Sequence, residues 1–324
     1  MADEILGQNE IRRDYRTGDY AIIAPDRGKR PEDFHNPKVP EHSTPENCPF
    51  ERGKENTNTE IMRVGDPWQI RAVENKFPEL YGNIPVYQRD GVFAMISGYG
   101  YNEVVIDTPS HNEPFESMDN DRLLLWLNMI IEREDALYLK KYIKHVHMFK
   151  NSGRDAGESL DHAHTQIMAW PELIGRVRTE YDAASKYTQK NGSCLYEKIL
   201  DVERYRLLIE TNNFVCIAPF ASRMAGESMI LPKRHLAYLG DLTDEEREDL
   251  VQVLKQTLLV NRSIFGNLSY NFVSHEIKAM EDFHMHIEIY PRLAKFAGVE
   301  LGEGVFVNQL PPEIYSESFR KLLK

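Results

Sequence analysis

The chain repeats itself, and the repeat limits what it can fold into. His162-Ala163-His164-Thr165-Gln166 recurs as His284-Met285-His286-Ile287-Glu288, in an apolar run that ends in Tyr290-Pro291. Before the first copy, Asn102 to Ile106 leads to His111, acidic residues and a helical pattern from about Asp121 to Lys141. Before the second, Gly226 to Pro232 leads to His235, an acidic stretch from Asp241 to Glu246 and a helical pattern to about Arg262. His111 lies 51 positions before His162, and His235 lies 49 before His284. Repetition on this scale outranks local propensity, so two copies of one strand, helix, strand unit are expected.

The helical patterns rest on caps and period. Thr243-Asp244-Glu245-Glu246 has the form of a capping box, with its acidic residues at the positive end of the helix. Leu250, Val251, Val253, Leu254, Leu258 and Leu259 make an apolar stripe at helical spacing, and Leu123, Leu124, Leu127, Ile130 and Ile131 do the same in the first copy. The polar stretch from Gly175 to Gly192 reads as the connection. Residues 1–174 are then the first half and residues 193–324 the second, joined by 175–192.

In an extended segment, residues i and i+2 project the same way, so His162 and His164 are expected in one pocket beside Gln166. A neutral imidazole is both a metal ligand and a nucleophile, and two at this spacing can divide those roles. The second copy has Glu288 where the first has Gln166 and lacks a segment like Gly157-Glu158-Ser159, so it reads as structural. His145 and His147 share strand spacing but fit an edge or core role, and Cys194 and Cys216 lack a neighbouring histidine pattern and read as inert.

Composition bounds the function. A 41% apolar fraction over 324 residues supports a real core, and no apolar run approaches the roughly 20 residues of a membrane span. Three scattered cysteines do not make a disulfide framework, which points to a reducing cytoplasm. A net charge of −12 argues against nonspecific nucleic-acid binding. Any anion recognition must be local, and the basic stretch Arg27-Gly28-Lys29-Arg30 reads either as a loop whose guanidiniums suit phosphate oxygens or as an ordinary solvated loop.

From Arg12 to Glu313 the chain resembles the galactose-1-phosphate uridylyltransferase family of the histidine-triad superfamily. The resemblance is carried in order by Arg27 to Pro31, Cys48-Pro49-Phe50, Glu74 to Pro78, Ser110-His111, Asn151 to Gln166, His284 to Pro291, and Gly298-Val299-Glu300 leading to Asn308. It implies an α+β fold of two histidine-triad-like halves, each an antiparallel sheet flanked by helices, in a homodimer. It also implies nucleotidyl transfer in galactose and carbohydrate metabolism. His164 would attack the α-phosphorus of a UDP-sugar and form a nucleotidyl-histidine, which a hexose 1-phosphate then resolves. Gln166 stands where hydrolytic relatives carry a third histidine, and an amide donates to phosphate without acting as an acid or base. Ser159, Asn151, Gly157 and Glu158 would hold the phosphates; Arg27, Arg30, Asn75, Lys295 and Glu300 would complete the substrate contacts.

The resemblance further implies zinc. Family members often use a Cys-x-x-Cys pair, and here the second thiolate position holds Glu51, leaving Cys48, Glu51, His111 and His162 as the ligand set. Glu180, His275, His284 and His286 match positions that hold iron or zinc in some relatives. Lys76 stands where uridine-specific relatives carry Asp, Val299 replaces an aromatic, and Phe306 falls near a hexose-contacting Gln. The leading expectation is therefore uridylyl transfer between UDP-glucose and galactose 1-phosphate. The alternatives are a phosphorylase of ADP-glucose type or of a dinucleotide, and a non-catalytic nucleotide-binding protein.

Overall fold

A computed structural model describes residues 10–13, 20–23, 43–280 and 282–323. Its strands in chain order are β1 (Glu10–Arg13), β2 (Tyr20–Ile23), β3 (Glu60–Val64), β4 (Ile70–Glu74), β5 (Gln88–Arg89), β6 (Met95–Ser97), β7 (Tyr101–Ile106), β8 (His145–Ser152), β9 (His164–Trp170), β10 (Leu207–Glu210), β11 (Phe214–Ile217), β12 (Ser228–Pro232), β13 (Tyr270–His275) and β14 (His286–Pro291). The helices are α1 (Asn120–Tyr138), α2 (Gly175–Asn191), α3 (Leu195–Val202), α4 (Asp244–Phe265), α5 (Gly298–Glu303) and α6 (Pro312–Leu322).

The repeat is visible in the strand order. Ten strands pair as β10-β11-β12-β14-β13-β8-β9-β7-β4-β3, so each half contributes five strands in the same sequence, read outward-in from opposite edges. All these pairings are antiparallel. The halves do not form separate sheets. β8 and β13 join at the centre, with Asn151 opposite Asn271 and Lys150 opposite Phe272, which satisfies the backbone edge that each half alone would expose. A second sheet, β2-β1-β6-β5, belongs to the first half.

The helices α1 and α4 form where the apolar stripes predict them. Asp119 caps α1 by accepting from the Arg122 N–H, and Thr243 with Glu246 closes the capping box of α4. Both helices pack on one face of the sheet. Leu123, Trp126, Leu127 and Ile130 of α1 meet Leu250, Val253, Leu254 and Leu258 of α4 and the inward residues Val146, Met148, Ile167, Phe272 and Ile287 in one core. Each such side chain contributes about 1.5 to 3 kcal/mol when fully buried.

Alternation along the strands leaves the other face for chemistry: His164 and Gln166 on β9, His147, Phe149 and Asn151 on β8, and His275 and His286 on β13 and β14. The stretch read as a polar connection is α2 over most of its length, and Glu180 from it reaches the second half.

Candidate active site and metal clusters

Strand β9 begins at His164, so the two histidines of the first pair do not share a pocket as an extended segment would require. His162, just before the strand, turns its ring toward Cys48 and Glu51, while His164 enters the open-face cavity. The His164 Nδ1–H donates to the His162 carbonyl at 2.8 Å. That bond fixes the tautomer and leaves the Nε2 lone pair free. Burial, reinforced by the Lys150 ammonium, lowers the His164 pKa to about 4, so the ring stays neutral near pH 7.

Lys150 supports this strand from the core side. Its ammonium donates to Asp107 at 2.6 Å and to the His164 carbonyl at 2.9 Å, with both side chains essentially fully buried. Thr165 donates to Asp107, and the Trp126 indole donates to Thr165. Sequence reasoning passed over this network, because a lysine inside an apolar strand gives no hint of its partner 43 residues away.

Cys48, Glu51, His111 and His162 bring one donor atom each within 4.8 Å of one another. Both imidazoles face inward through Nδ1. Their Nε2–H groups donate to backbone carbonyls, His111 to Ser43 at 2.6 Å and His162 to Thr108 at 2.7 Å, the outer bonds that fix a metal-ligating tautomer. His111 Nδ1 lies 2.8 Å from Glu51 Oε1, and His162 Nδ1 lies 3.5 Å from the Cys48 sulfur. Yet Glu51 Oε1 and His111 Nδ1 are buried without a hydrogen-bond partner. Two lone-pair atoms held together in a thiolate, carboxylate and imidazole set fit a tetrahedral zinc.

The His164 cavity has a volume of about 490 Å³ and includes Asn75, Asn151, Gly157, Ser159 and Gln166 in its wall. The Phe50 ring meets His164 edge-on at 5.5 Å. Asn151 accepts through Oδ1 from Asn271 at 2.8 Å, which turns its amide N–H₂ outward as a donor. The loop after β8 is tight: Gly153 has φ +83°, and a Cβ there would meet the Ser269 hydroxyl at 2.2 Å. Glu158 differs from expectation. Its carboxylate accepts from the Gly153 N–H and lies outside the cavity wall, so it closes the loop.

A family model described as the galactose-1-phosphate uridyl transferase N-terminal domain matches residues 2–173. The chain belongs to the galactose-1-phosphate uridylyltransferase family. A domain of unknown function also matches residues 115–324. The ADP-glucose phosphorylase of Arabidopsis thaliana is 30% identical, covering 99% of this chain and 95% of that protein. The galactose-1-phosphate uridylyltransferase of Thermotoga maritima is 27% identical over 80% of this chain and 86% of its own length. A solved uridylyltransferase structure superposes with a TM-score of 0.83 at 29% identity, covering 97% of this chain and 98% of that one. These uridylyltransferase-family relatives are enzymes of nucleotidyl transfer.

The remaining expected residues separate. Glu180, His275, His286 and Glu288 gather in a second cluster, but His284 is not among them. His284 precedes β14 as His162 precedes β9, so its ring turns the same way: Nε2–H donates to the Pro232 carbonyl at 2.9 Å and Nδ1 faces Cys194. Cys194, His235 and His284 form a third cluster, so Cys194 has the histidine neighbours that its inert reading took it to lack. Glu197 lies 3.6 Å from His235, so Cys194-x-x-Glu197 repeats Cys48-x-x-Glu51. That echo was available in the sequence and was missed.

In the Glu180 cluster the residues pair with one another. His275 donates to Glu180 at 2.6 Å, and Arg176 and Arg223 reach Glu180 and Glu288 at 2.8 and 2.9 Å. None of its four members has an orphaned buried atom. A resident metal there fits poorly, since it would displace existing ion pairs. Lys295 is exposed and Glu300 half-buried, and neither lines the His164 cavity. Arg27 and Arg30 lie outside the described residues.

Proposed function

We propose that the protein moves a nucleotidyl group in two displacements through His164. The observation that carries this is the His164 ring, neutral and tautomer-fixed, with Nε2 free inside a cavity walled by Asn151, Ser159 and Gln166. In the first step the Nε2 lone pair attacks the α-phosphorus of a nucleotide sugar, and the bond to the departing sugar phosphate breaks with its electrons on oxygen. In the second, a phosphate oxygen of the acceptor attacks the same phosphorus and returns the lone pair to Nε2. Asn151, Ser159 and Gln166 donate to the phosphoryl oxygens as charge shifts between them.

Zinc at Cys48, Glu51, His111 and His162 would anchor the His162 segment, whose carbonyl holds the His164 ring. Of the other two clusters we favour Cys194, His235 and His284, with Glu197 beside His235, for a second metal, because the ligand pattern of the first site repeats there. The basic Arg27 and Arg30 loop, Lys295 and Glu300 are proposed to reach the sugar phosphate from the partner subunit of a homodimer, since Lys295 and Glu300 do not line the cavity of their own chain. Three free cysteines suit a reducing cytoplasm.

Two donor and acceptor pairs have specific support. Uridylyl transfer between UDP-glucose and galactose 1-phosphate is favoured by the uridylyltransferase superposition over nearly the whole chain. Phosphorolysis of ADP-glucose is favoured by the 30% identity to a phosphorylase over 99% of the chain, together with Lys76 in place of an aspartate. Exchange of labelled glucose 1-phosphate into UDP-glucose or ADP-glucose identifies the donor, and product formation with galactose 1-phosphate or inorganic phosphate identifies the acceptor. Absence of exchange with both nucleotide sugars would refute the enzyme reading.

A further inference from the structure

Beside the His164 cavity, on the same open face of the sheet, lies a second cavity of about 340 Å³. The two share no lining residue. The β8 row connects them: Asn151 and Phe149 belong to the first, His147 and His145 to the second, with the Phe149 and His147 rings 5.8 Å apart. Ile174, Val177 and Val273 supply apolar wall, and the Trp170 ring lies nearly parallel to His147, at 11° and 6.1 Å.

Three polar atoms in this wall are buried and lack a hydrogen-bond partner: His145 Nδ1, His147 Nδ1 and Trp170 Nε1. His145 is only 3% exposed. The other two tryptophans show what is unusual, since the Trp68 indole donates to Glu55 and the Trp126 indole to Thr165. Buried polar groups are normally paired, and an orphan is costly, so three along one wall call for an occupant.

The chemistry of that occupant follows from what the wall offers. The Trp170 N–H can only donate. Gly175, Arg176 and Val177, the first residues of the 17-residue helix α2, form part of the same wall. Helix α2 has no capping side chain, its N-cap is Ile174, and its first turn holds no acidic residue. Its N-terminal N–H groups are therefore left without the usual oxygen acceptor, and the helix dipole favours negative charge there. Each neutral imidazole can add one donor. Arg176 is tied to Glu180 and Glu288, which offset its charge, so recognition rests on the N–H donors.

We propose that this cavity is a binding site for a small organic oxyanion, a carboxylate or phosphate monoester carried on an apolar body. The oxyanion accepts from the α2 N-terminus, the Trp170 indole and the two imidazoles, and the apolar body fills the wall made by Ile174, Val177 and Val273. Burial lowers the His147 pKa to about 4 and holds His145 low as well, so recognition at neutral pH uses imidazole N–H groups and not imidazolium charge.

The test uses the Trp170 indole N–H as reporter, observed by proton–nitrogen correlation on the full chain and assigned with Trp170→Phe. Phenyl phosphate and benzoate are titrated separately, with benzyl alcohol as the uncharged control; the two anions distinguish a phosphate ligand from a carboxylate one. The expected result is a saturable shift of the Trp170 signal with at least one anion, while the Trp68 and Trp126 signals stay in place. His145→Phe and His147→Phe keep the ring size and remove the nitrogens, and each should weaken binding by about ten-fold or more. Should either variant misfold, the wild-type titration still decides. No saturable shift with either anion would show a cavity holding water alone, and a shift that benzyl alcohol matches would show an apolar pocket without anion recognition; either result overturns the proposal.

Discussion

Removing the Lys150 ammonium should cost far more stability than removing the whole charge pair it belongs to. Lys150→Met leaves the Asp107 carboxylate with no cation, in a site where both side chains are at most 1% exposed. Of its hydrogen bonds only the Thr165 hydroxyl remains, while Asp107 Oδ1 already has no partner. Breaking one side of a buried pair costs about 3 to 5 kcal/mol, whereas neutralising both sides is often nearly neutral. Lys150→Met should therefore lose about 3 to 5 kcal/mol in urea unfolding, and adding Asp107→Asn should restore most of it, because the amide keeps an oxygen for Thr165. Burial already raises the Asp107 pKa even with Lys150 beside it, and the substitution raises it further. A carboxyl with a raised folded pKa takes up its proton more readily folded than unfolded, so folding gains stability as pH falls toward the unfolded value. The deficit of Lys150→Met should thus be larger at pH 8 than at pH 5. A loss below about 1 kcal/mol, or a double variant no more stable than the single one, would refute this account of the network.

Formation of the nucleotidyl-histidine should be nearly independent of pH from 8 down to 5.5, because the His164 pKa lies at about 4. An exposed imidazole would lose about ten-fold over the same range, and single-turnover labelling distinguishes the two. Cys48→Ala and His111→Ala should each lower both bound zinc, by elemental analysis, and the melting temperature, since a structural site couples ligation to folding. Unchanged metal content in both would show that the ligand set is wrong.

The repeat made much of the fold legible. Two His-x-His copies, two apolar stripes and the capping box at Thr243 announced α1, α4 and the strands around them, because period and caps are local signals. The join between β8 and β13 was not legible, since nothing in His145 to Ser152 or Tyr270 to His275 states which strand lies alongside. The roles of His162 and His164 were separable only once the strand was seen to begin at His164; alternation by itself put both in one pocket. The same one-residue detail moved His284 from the Glu180 cluster to Cys194. Lys150 and Asp107 were invisible for a different reason: a buried ion pair is a tertiary fact, and each member alone reads as a misplaced charge in an apolar run.

The central claim is that His164 carries the nucleotidyl group. Mass spectrometry of the full chain after brief incubation with UDP-glucose or ADP-glucose, without acceptor, tests it most directly. The account predicts a nucleotidyl adduct on His164 that disappears when hexose 1-phosphate or inorganic phosphate is added, and no adduct in His164→Ala. An adduct that persists in His164→Ala, or turnover without any adduct on the wild-type chain, would contradict it.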